Sequence, residues 1–576
     1  MNSTSPSRSD ELDRLAAGEF DLCVIGGGVT GAGLARDAQL RGLRVALVEK
    51  HDFGSGTSSK SSKLIHGGVR YMEHLEFGLV HESVRERALL LRDVPHLVRP
   101  VPFMYPAYKG QKPSLFALDV GLWLYDAFAR FRVPRIHKAY RKGRVRELEP
   151  LLTQERLNGA LVYYDAMTDD ARLVLENVVD ARAAGALCLS YVAAEGLLRG
   201  DAGAGARVTG VKARCVETGR VVEVRARAVF AATGPWTDQL LGDLGDGLPR
   251  KLLRPTKGVH VVVDRARLPV NHAVVMRVHK DKRTIFTIPW EYRTVIGTTD
   301  TDDSAKPEDV RATADDVRYL LDIANAHFPS AKLVAEDVIS TWAGLRPLVA
   351  PDAGEGKKTA SQVSREHELL TLPSGVILMV GGKLTTYRHM AEQAADRVME
   401  VLGRAHGDVL TRQRPLPGAV GLVEGGDRAV QALAAELSRD HKVPEASARH
   451  LSRTYGVRAR TLVAEAEGDD ARRVIVDGLP QVWAEVDFAV RHDLAFRLDD
   501  VLARRTLFLL VDKDQGLGVM DAIAARMQKL CGWDAARTER ELEHYQKMVE
   551  ASRAWHGEER GLPRRIAAAH LRKKKA

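Results

Sequence analysis

The sequence predicts an α/β protein: a doubly wound parallel-sheet domain interleaved with a domain on a mixed or antiparallel sheet, then a C-terminal helical domain. Three observations carry this. Near the N-terminus an apolar strand runs into closely spaced glycines, a helix and a second strand ending in an acid. Between 206 and 300, alternation and short apolar runs mark several strands. Beyond the proline-rich break at 412–418, strand patterns nearly vanish.

In chain order, residues 1–19 are polar, lack the apolar core of a signal peptide and read as a flexible leader. The strand from Asp21 to Ile25 leads into Gly26, Gly28 and Gly31. These hold the three glycine positions of a dinucleotide fingerprint: a tight turn, close backbone approach to a pyrophosphate, and close helix–strand packing. The helix N-terminus offers free N–H groups and a positive dipole end to phosphates. Glu49, at the end of the next strand, stands where an acid can bind ribose hydroxyls.

The segment 54–70 is rich in Gly and Ser, which alone would read as a linker. Leu64-Ile-His66, two glycines and Arg70-Tyr71 argue instead for a loop touching phosphate and ring. A helix is expected from about Phe77 to Arg92, with Val80, Val84 and Leu91 on its apolar face. Residues 115–136 fit either an amphipathic helix on lipid or a core-facing helix with a solvated basic end, the commoner case. Alternation from Ala206 to Val229 predicts a small antiparallel sheet, leading to Ala232-Thr-Gly234, a second cofactor-contact signal. Strands follow at Gly258 to Val263, Thr284 to Ile288 and Gly375 to Val380, the last running into Gly381-Gly-Lys-Leu-Thr-Thr-Tyr387 and a helix. Residues 420–550 carry Ala, Leu, Arg and Glu at helical spacing. The basic tail is either frayed or an amphipathic anchor. The expected divisions are 1–19, 20–412, 413–550 and 551–576.

At 576 residues, 45% hydrophobic and 28% charged, the chain suits a multi-domain globular protein. A net charge of +9 suits an anionic cofactor, substrate or membrane surface. No nucleic-acid motif accompanies it. The four cysteines are far apart and form no CxxC pair, so neither a disulfide framework nor a zinc or other metal site is expected, and a reducing compartment is. No apolar run is long enough for a transmembrane helix, which leaves only peripheral membrane contact.

Taken together, these strings resemble the FAD-dependent glycerol-3-phosphate dehydrogenases that feed a respiratory quinone pool. The resemblance rests on the Ile25–Gly33 glycine opening, the Thr57–Tyr71 loop, Asp169-Asp-Ala-Arg-Leu173, Ala232-Thr-Gly-Pro-Trp236 and Lys257-Gly-Val-His260. It continues through Ile288-Pro-Trp290, Ile296-Gly-Thr-Thr-Asp300, Gly344-Leu-Arg-Pro347 and Gly381–Arg388. Arg453-Thr-Tyr-Gly456 and Asp499–Thr506 extend it into the helical part, so it spans roughly residues 20 to 550. The departures are a longer leader, the basic tail and a longer loop between Arg346 and Arg365.

The resemblance implies a glutathione-reductase-like FAD-binding domain and oxidation of sn-glycerol 3-phosphate to dihydroxyacetone phosphate. Hydride would pass from carbon 2 to flavin N5, and electrons to ubiquinone or menaquinone. It implies Gly26, Gly27, Gly28 and Gly31 at the pyrophosphate and Glu49 at the ribose. Thr57, Ser58, Ser61, Ser62, Lys63, Leu64 and His66 would follow the pyrophosphate and flavin. Thr233 and Gly234 would lie near the dinucleotide, and Gly382, Lys383, Leu384 and Thr385 beyond the ring. Forked guanidinium groups suit a doubly charged phosphate, which makes Arg70, Arg346 and Arg365 its candidate clamp, with Tyr71 and Thr298 as hydroxyl partners. His66 and His260 are both candidates for the base that takes the carbon-2 hydroxyl proton, with Arg346 or Lys383 the fallback. The implied location is cytoplasmic, attached peripherally to the inner face of the cell membrane, and a homodimer is allowed for.

The nearest rival is a glycerophosphate oxidase that hands electrons to oxygen. More distant are an amine or amino-acid oxidase of the same broad fold and a non-catalytic nucleotide sensor at the membrane. An NAD enzyme is disfavoured by the second contact motif at Ala232-Thr-Gly234.

Overall fold

The computed structural model describes residues 7–69, 76–110, 114–128, 134–200, 207–246, 248, 250–278, 283–351 and 366–561. Among these, two sheets organise the chain.

The first sheet has five parallel strands in the order Ile377–Gly381, Val221–Ala231, Glu19–Ile25, Val45–Val48 and Leu187–Leu189. His367–Thr371 adds an antiparallel edge. Strands Glu19–Ile25 and Val45–Val48 are almost wholly buried, as a parallel sheet covered on both faces requires. Helices Val29–Leu40, Asp170–Ala183 and Tyr387–Val401 cover one face, packing Leu34, Val174 and Val398 on Val24 and Phe230. The other face is covered by an antiparallel meander, Val192–Arg199 and Val208–Cys215, together with short helices. The predicted antiparallel pairing after Ala206 is thus present. Strand Val221–Ala231 alternates exposed and buried residues where it joins the meander, then becomes fully buried where it enters the parallel sheet.

The expected flexible leader is corrected over much of its length. Residues Arg8–Ala17 form a helix closed by a reciprocal Ser7–Asp10 capping box, and it buries Leu12 and Leu15 against the meander side of the sheet. Glu11 pairs with Arg182 at 2.7 Å.

The second sheet is mixed. Strand Leu253–Asp264 pairs antiparallel with Val338–Val349 over its whole length and with Arg293–Gly297 on its other side. Thr284–Trp290, Ala273–Arg277, Arg99–Tyr108 and Leu157–Met167 extend it, with one parallel pairing between Ala273–Arg277 and Arg99–Tyr108. Helix Ala314–His327 covers one face with Val317, Leu320 and Phe328 beneath it. The predicted helix after the Gly/Ser loop runs Phe77–Asp93 and buries Leu90 and Asp93 beside Val80 and Val84, while Leu91 is half-buried.

Beyond Gly381, strand structure among the described residues is reduced to one isolated bridge between Val474 and Val482. Helices Gly426–His441, Glu445–Tyr455 and Arg458–Ala464 share their own core around Leu437 and Tyr455. Later helices place Val501, Phe508 and Met527 in one core with Phe103, Tyr163 and Trp342 of the mixed sheet. No described helix is long and apolar enough to cross a membrane. Cys23, Cys188, Cys215 and Cys531 are all free.

Candidate functional site

A long cavity runs from the glycine turn, between the two sheets, to strand Val338–Val349. Its head is built by backbone geometry. Gly26 adopts φ +105°, and a side chain there would strike Ala232 O at 2.6 Å. A Cβ at Gly31 would lie 1.9 Å from Gly26 O, so only glycine lets the helix start so close to the turn. The Ser58 hydroxyl accepts the N–H of Val29 at 3.0 Å, tying the loop onto the first turn of helix Val29–Leu40. Glu49 accepts from Gly27 N–H at 2.7 Å and His51 N–H at 2.8 Å. Burial raises its pKa, and those two bonds oppose the rise.

The far end gathers cationic and ring groups. Arg346, half-buried, is braced by Thr298 Oγ1 at 3.0 Å, Thr299 O at 3.1 Å and Asp300 at 3.0 Å. Gly258 leaves room for its guanidinium: a Cβ there would come within 2.4 Å of Nη2. His260 is buried, stacks on Trp342 at 4.7 Å and shares a 2.8 Å hydrogen bond from Nε2 to Ser62 Oγ. Burial, then the Arg346 and Lys63 charges, push its pKa well below the ordinary imidazole value. It is therefore neutral across the physiological range. His66 is half-buried, and its main chain is clasped by Thr385, whose hydroxyl accepts from His66 N–H and donates to His66 O. Lys383 reaches Ser83 Oγ at 3.3 Å, while Gly382, at φ +100°, has Met390 Cε 2.1 Å from where a Cβ would sit.

Of the residues singled out from sequence, Gly26, Gly28, Glu49, Thr57, Ser58, Ser61, Ser62, Leu64 and His66 line the cavity. So do Thr233, Gly234, His260, Arg346, Gly382, Lys383, Leu384 and Thr385. Four do not. Gly27 turns its N–H to Glu49, and Gly31 lies behind the turn. Thr298 stands behind Arg346 as its brace rather than on the wall. Lys63, placed along the cofactor by the sequence, points away. Its backbone is left-handed (φ 55°), and its ammonium is buried against Asp170 at 2.5 Å, 5.6 Å from both Trp290 and Trp342 ring centres. Ser61 also commits its hydroxyl to Asp170, at 2.7 Å. Arg70, Tyr71 and Arg365 lie outside the described residues.

Sequence reasoning missed Lys60 and Trp236, which line the same wall. Burial, then the Arg504 charge, lowers the Lys60 pKa. Lys60 lies inside the Thr57–Tyr71 string already singled out, so the signal was present. Also missed was Asp52, buried below the loop, which takes Arg505 through Nη1 at 2.6 Å and Nη2 at 2.9 Å, together with Arg504. The helical domain thus clamps the loop that follows Glu49.

Chemically, the site offers a glycine-bared helix start for phosphates, an acid for hydroxyls, and an arginine, a lysine and two histidines lining the same cavity. Residues 21–397 match the FAD dependent oxidoreductase family, and residues 409–538 match the C-terminal domain of alpha-glycerophosphate oxidase. The chain is 35% identical over 545 residues to a protein of Synechocystis named glycerol-3-phosphate dehydrogenase, covering 92% of this chain and 96% of that one. It is 33% identical to alpha-glycerophosphate oxidase of Streptococcus pneumoniae, covering 96% and 98%. The crystal structure of a glycerol-3-phosphate dehydrogenase from Bacillus halodurans complexed with FAD superposes with a TM-score of 0.78 at 31% identity, covering 95% of this chain and 97% of that one.

Proposed function

Because the chain belongs to the FAD-dependent glycerol-3-phosphate dehydrogenase family, we propose that it oxidises sn-glycerol 3-phosphate to dihydroxyacetone phosphate and delivers the electrons to ubiquinone or menaquinone. FAD supplies the chemistry when bound: its N5 is the hydride acceptor and its ring the two-electron store. The convergence of Arg346, His66 and Lys383 on the cavity headed by the Gly26–Gly31 turn carries this reading.

The residues fit the cofactor. Gly26 and Gly31 let the turn and the helix start pack where a Cβ would strike backbone, and Gly28, which lines the cavity, N-caps the helix, so a helix N-terminus stands at the cavity wall, the arrangement a pyrophosphate needs. Glu49 would take the ribose hydroxyls, and Gly382 to Thr385 would border the ring. Lys383 places a positive charge there, which favours an anionic reduced ring.

Arg346 would hold the substrate phosphate. Thr298 and Asp300 fix the guanidinium plane, so little side-chain freedom is lost on binding. His66 is the better of the two candidate bases. Its main chain is fixed by Thr385, whereas burial and two nearby cations lower the proton affinity of His260 and make it the weaker base. His260 instead orients Ser62 from beneath. Arg70, Tyr71 and Arg365 complete the proposed clamp on the sequence resemblance alone.

A quinone dissolves in the bilayer, so this acceptor implies peripheral attachment to a membrane. The oxidase reading is favoured by one observation, the likeness to the Streptococcus pneumoniae oxidase over nearly all of both chains. One assay separates the two. Under air, with glycerol 3-phosphate and a soluble quinone, the dehydrogenase reduces quinone with little peroxide. Peroxide equal to substrate consumed would assign oxygen as acceptor.

A further inference from the structure

Three residues on the inner side of helix Phe77–Asp93 grip the two segments that carry Lys383 and His66. Positions 83, 86 and 87 share one side of a helix. Ser83 meets Lys383 Nζ at 3.3 Å. Glu86 takes Arg388, a few residues further on, through both carboxylate oxygens at 2.7 and 2.6 Å. Arg87 turns to the other segment. Its Nη1 meets Asp165 Oδ1, on strand Leu157–Met167, and Tyr125 Oη, on helix Leu115–Phe128, the latter at 2.9 Å. Tyr125 in turn donates to Asp165 Oδ1 at 2.8 Å. All three side chains are buried.

The same carboxylate oxygen accepts the N–H of Gly67 at 3.1 Å. Strand Leu64–Ile65 pairs with Leu157–Met167 at its two residues, and there the ladder stops. The Asp165 side chain takes the Gly67 donor just beyond it. Gly67 has to be glycine: a Cβ would lie 2.2 Å from Tyr125 Oη and 2.5 Å from Val84 Cγ1. The peptide joining His66 to Gly67 is therefore held at both ends. Its oxygen accepts from Thr385 Oγ1 at 3.3 Å, and its N–H donates to Asp165. The His66 N–H is on Thr385 as well.

Stability gives little reason for Arg87 to be an arginine. Its Nε and Nη2 are buried without a hydrogen-bond partner among the described residues. Such unmade bonds are costly, and apolar replacement of a buried ion pair is often neutral or stabilising. We propose that Arg87, Asp165 and Tyr125 form a positioning cluster for the reaction: they fix the His66–Gly67 peptide, and with it the direction of the His66 imidazole. Arg87 neutralises the buried carboxylate, Tyr125 fills its second bond, and Asp165 presents the acceptor. None of the three lines the cavity, so each acts through His66 rather than on substrate or cofactor. The proposal rests on the reading of His66 as the base and adds the residues that aim it.

Two charge-balanced double variants of the holoenzyme test this: Arg87→Met with Asp165→Val, and Arg87→Met with Asp165→Asn. Neither orphans an ion, and only the second keeps an oxygen for the Gly67 N–H. Both are expected to purify with wild-type flavin content. The Asp165→Val form should lose on the order of 10²-fold in anaerobic flavin reduction by glycerol 3-phosphate, the cost of a misplaced reacting group, with KM near wild type. The Asp165→Asn form should recover most of that loss. In a His66→Asn background the Asp165→Val pair should add little, because both act on one step. Equal rates in the two doubles overturn the proposal. So does a loss carried by KM or by flavin content, or a full further loss in the His66→Asn background. Tyr125→Phe leaves the ion pair in place and covers the case in which the doubles do not fold. It should slow the same reduction several-fold at unchanged KM, and an unchanged rate overturns the proposal. A wild type that glycerol 3-phosphate does not reduce refutes the proposed function itself, and this role with it. A wild type reduced normally, with the two doubles alike, refutes the cluster alone.

Discussion

Replacing Asp52 with Asn tests whether the helical domain holds the cofactor loop. Asp52 is buried, with Arg505 forked onto it and Arg504 beside it. Burial alone would raise the Asp52 pKa, but the two guanidinium groups outweigh that and hold it below the usual carboxylate value. Arg504 would keep Asp499 and Asp500, each at 2.6 Å. Arg505 would keep the carbonyl of Asp493 and at most one bond to the Asn oxygen, and would lose the carboxylate that neutralises it. Orphaning one buried charge costs about 3–5 kcal/mol. With an unfolding entropy of about 2.1 cal/mol/K per residue over 576 residues, that lowers Tm by about 2–4 °C for one cooperative transition. Part of the cost falls on the loop itself, since Gly54 and Ser58 tie it to the glycine turn and the helix start. FAD dissociation, followed by flavin fluorescence on dilution, is therefore expected to be at least about tenfold tighter in wild type, about 1.4 kcal/mol. A lowered Tm with unchanged FAD affinity would refute the clamp on the loop. No change in either would refute the orphaned-charge argument.

Gly31→Ala drives a methyl group into Gly26 O, so the protein should purify without its yellow colour while far-UV circular dichroism stays near wild type. Arg346→Ala should cut kcat/KM by about 2–5 kcal/mol, the cost of truncating a buried charge pair, with KM carrying most of the loss. His66→Asn should depress kcat far more than substrate affinity, and His260→Asn much less; the reverse order in steady-state kinetics would exchange their roles. His96 is buried with both ring nitrogens lacking protein partners, and burial, then Arg172, Arg458 and Arg453, lower its pKa to about 3. Its folded pKa lies below its unfolded value near 6.5, so the unfolded chain gains the proton first. The stability associated with this group is complete above about pH 6.5 and lost toward pH 3, at about 1.4 kcal/mol per pH unit. Denaturant titrations of His96→Asn at several pH values should show an acid slope shallower by that amount.

The head of the site was legible because backbone geometry demands it. Gly26 needs a positive φ and Gly31 cannot bear a Cβ, and such requirements leave glycine in fixed places. Arg346 and His66 were legible through the strings around them. Side-chain direction was less so. Lys63 sits among cavity residues in sequence, yet a left-handed backbone turns it to Asp170. Thr298 neighbours the cavity through Arg346 only. The Asp52–Arg505 clamp joins residues 453 apart, and no local pattern announces such a pair. The N-terminal helix was legible in retrospect: Ser7 and Asp10 are a capping signature, with Leu12 and Leu15 three apart behind it.

On the proposed function, carbon 2 of glycerol 3-phosphate gives its hydride to a flavin held in this cavity. Anaerobic stopped-flow mixing of the yellow holoenzyme with glycerol 3-phosphate, unlabelled and deuterated at carbon 2, tests it most directly. Bleaching of the flavin band, slowed several-fold by deuterium, is the expected result. A flavin that stays oxidised with either substrate would contradict it.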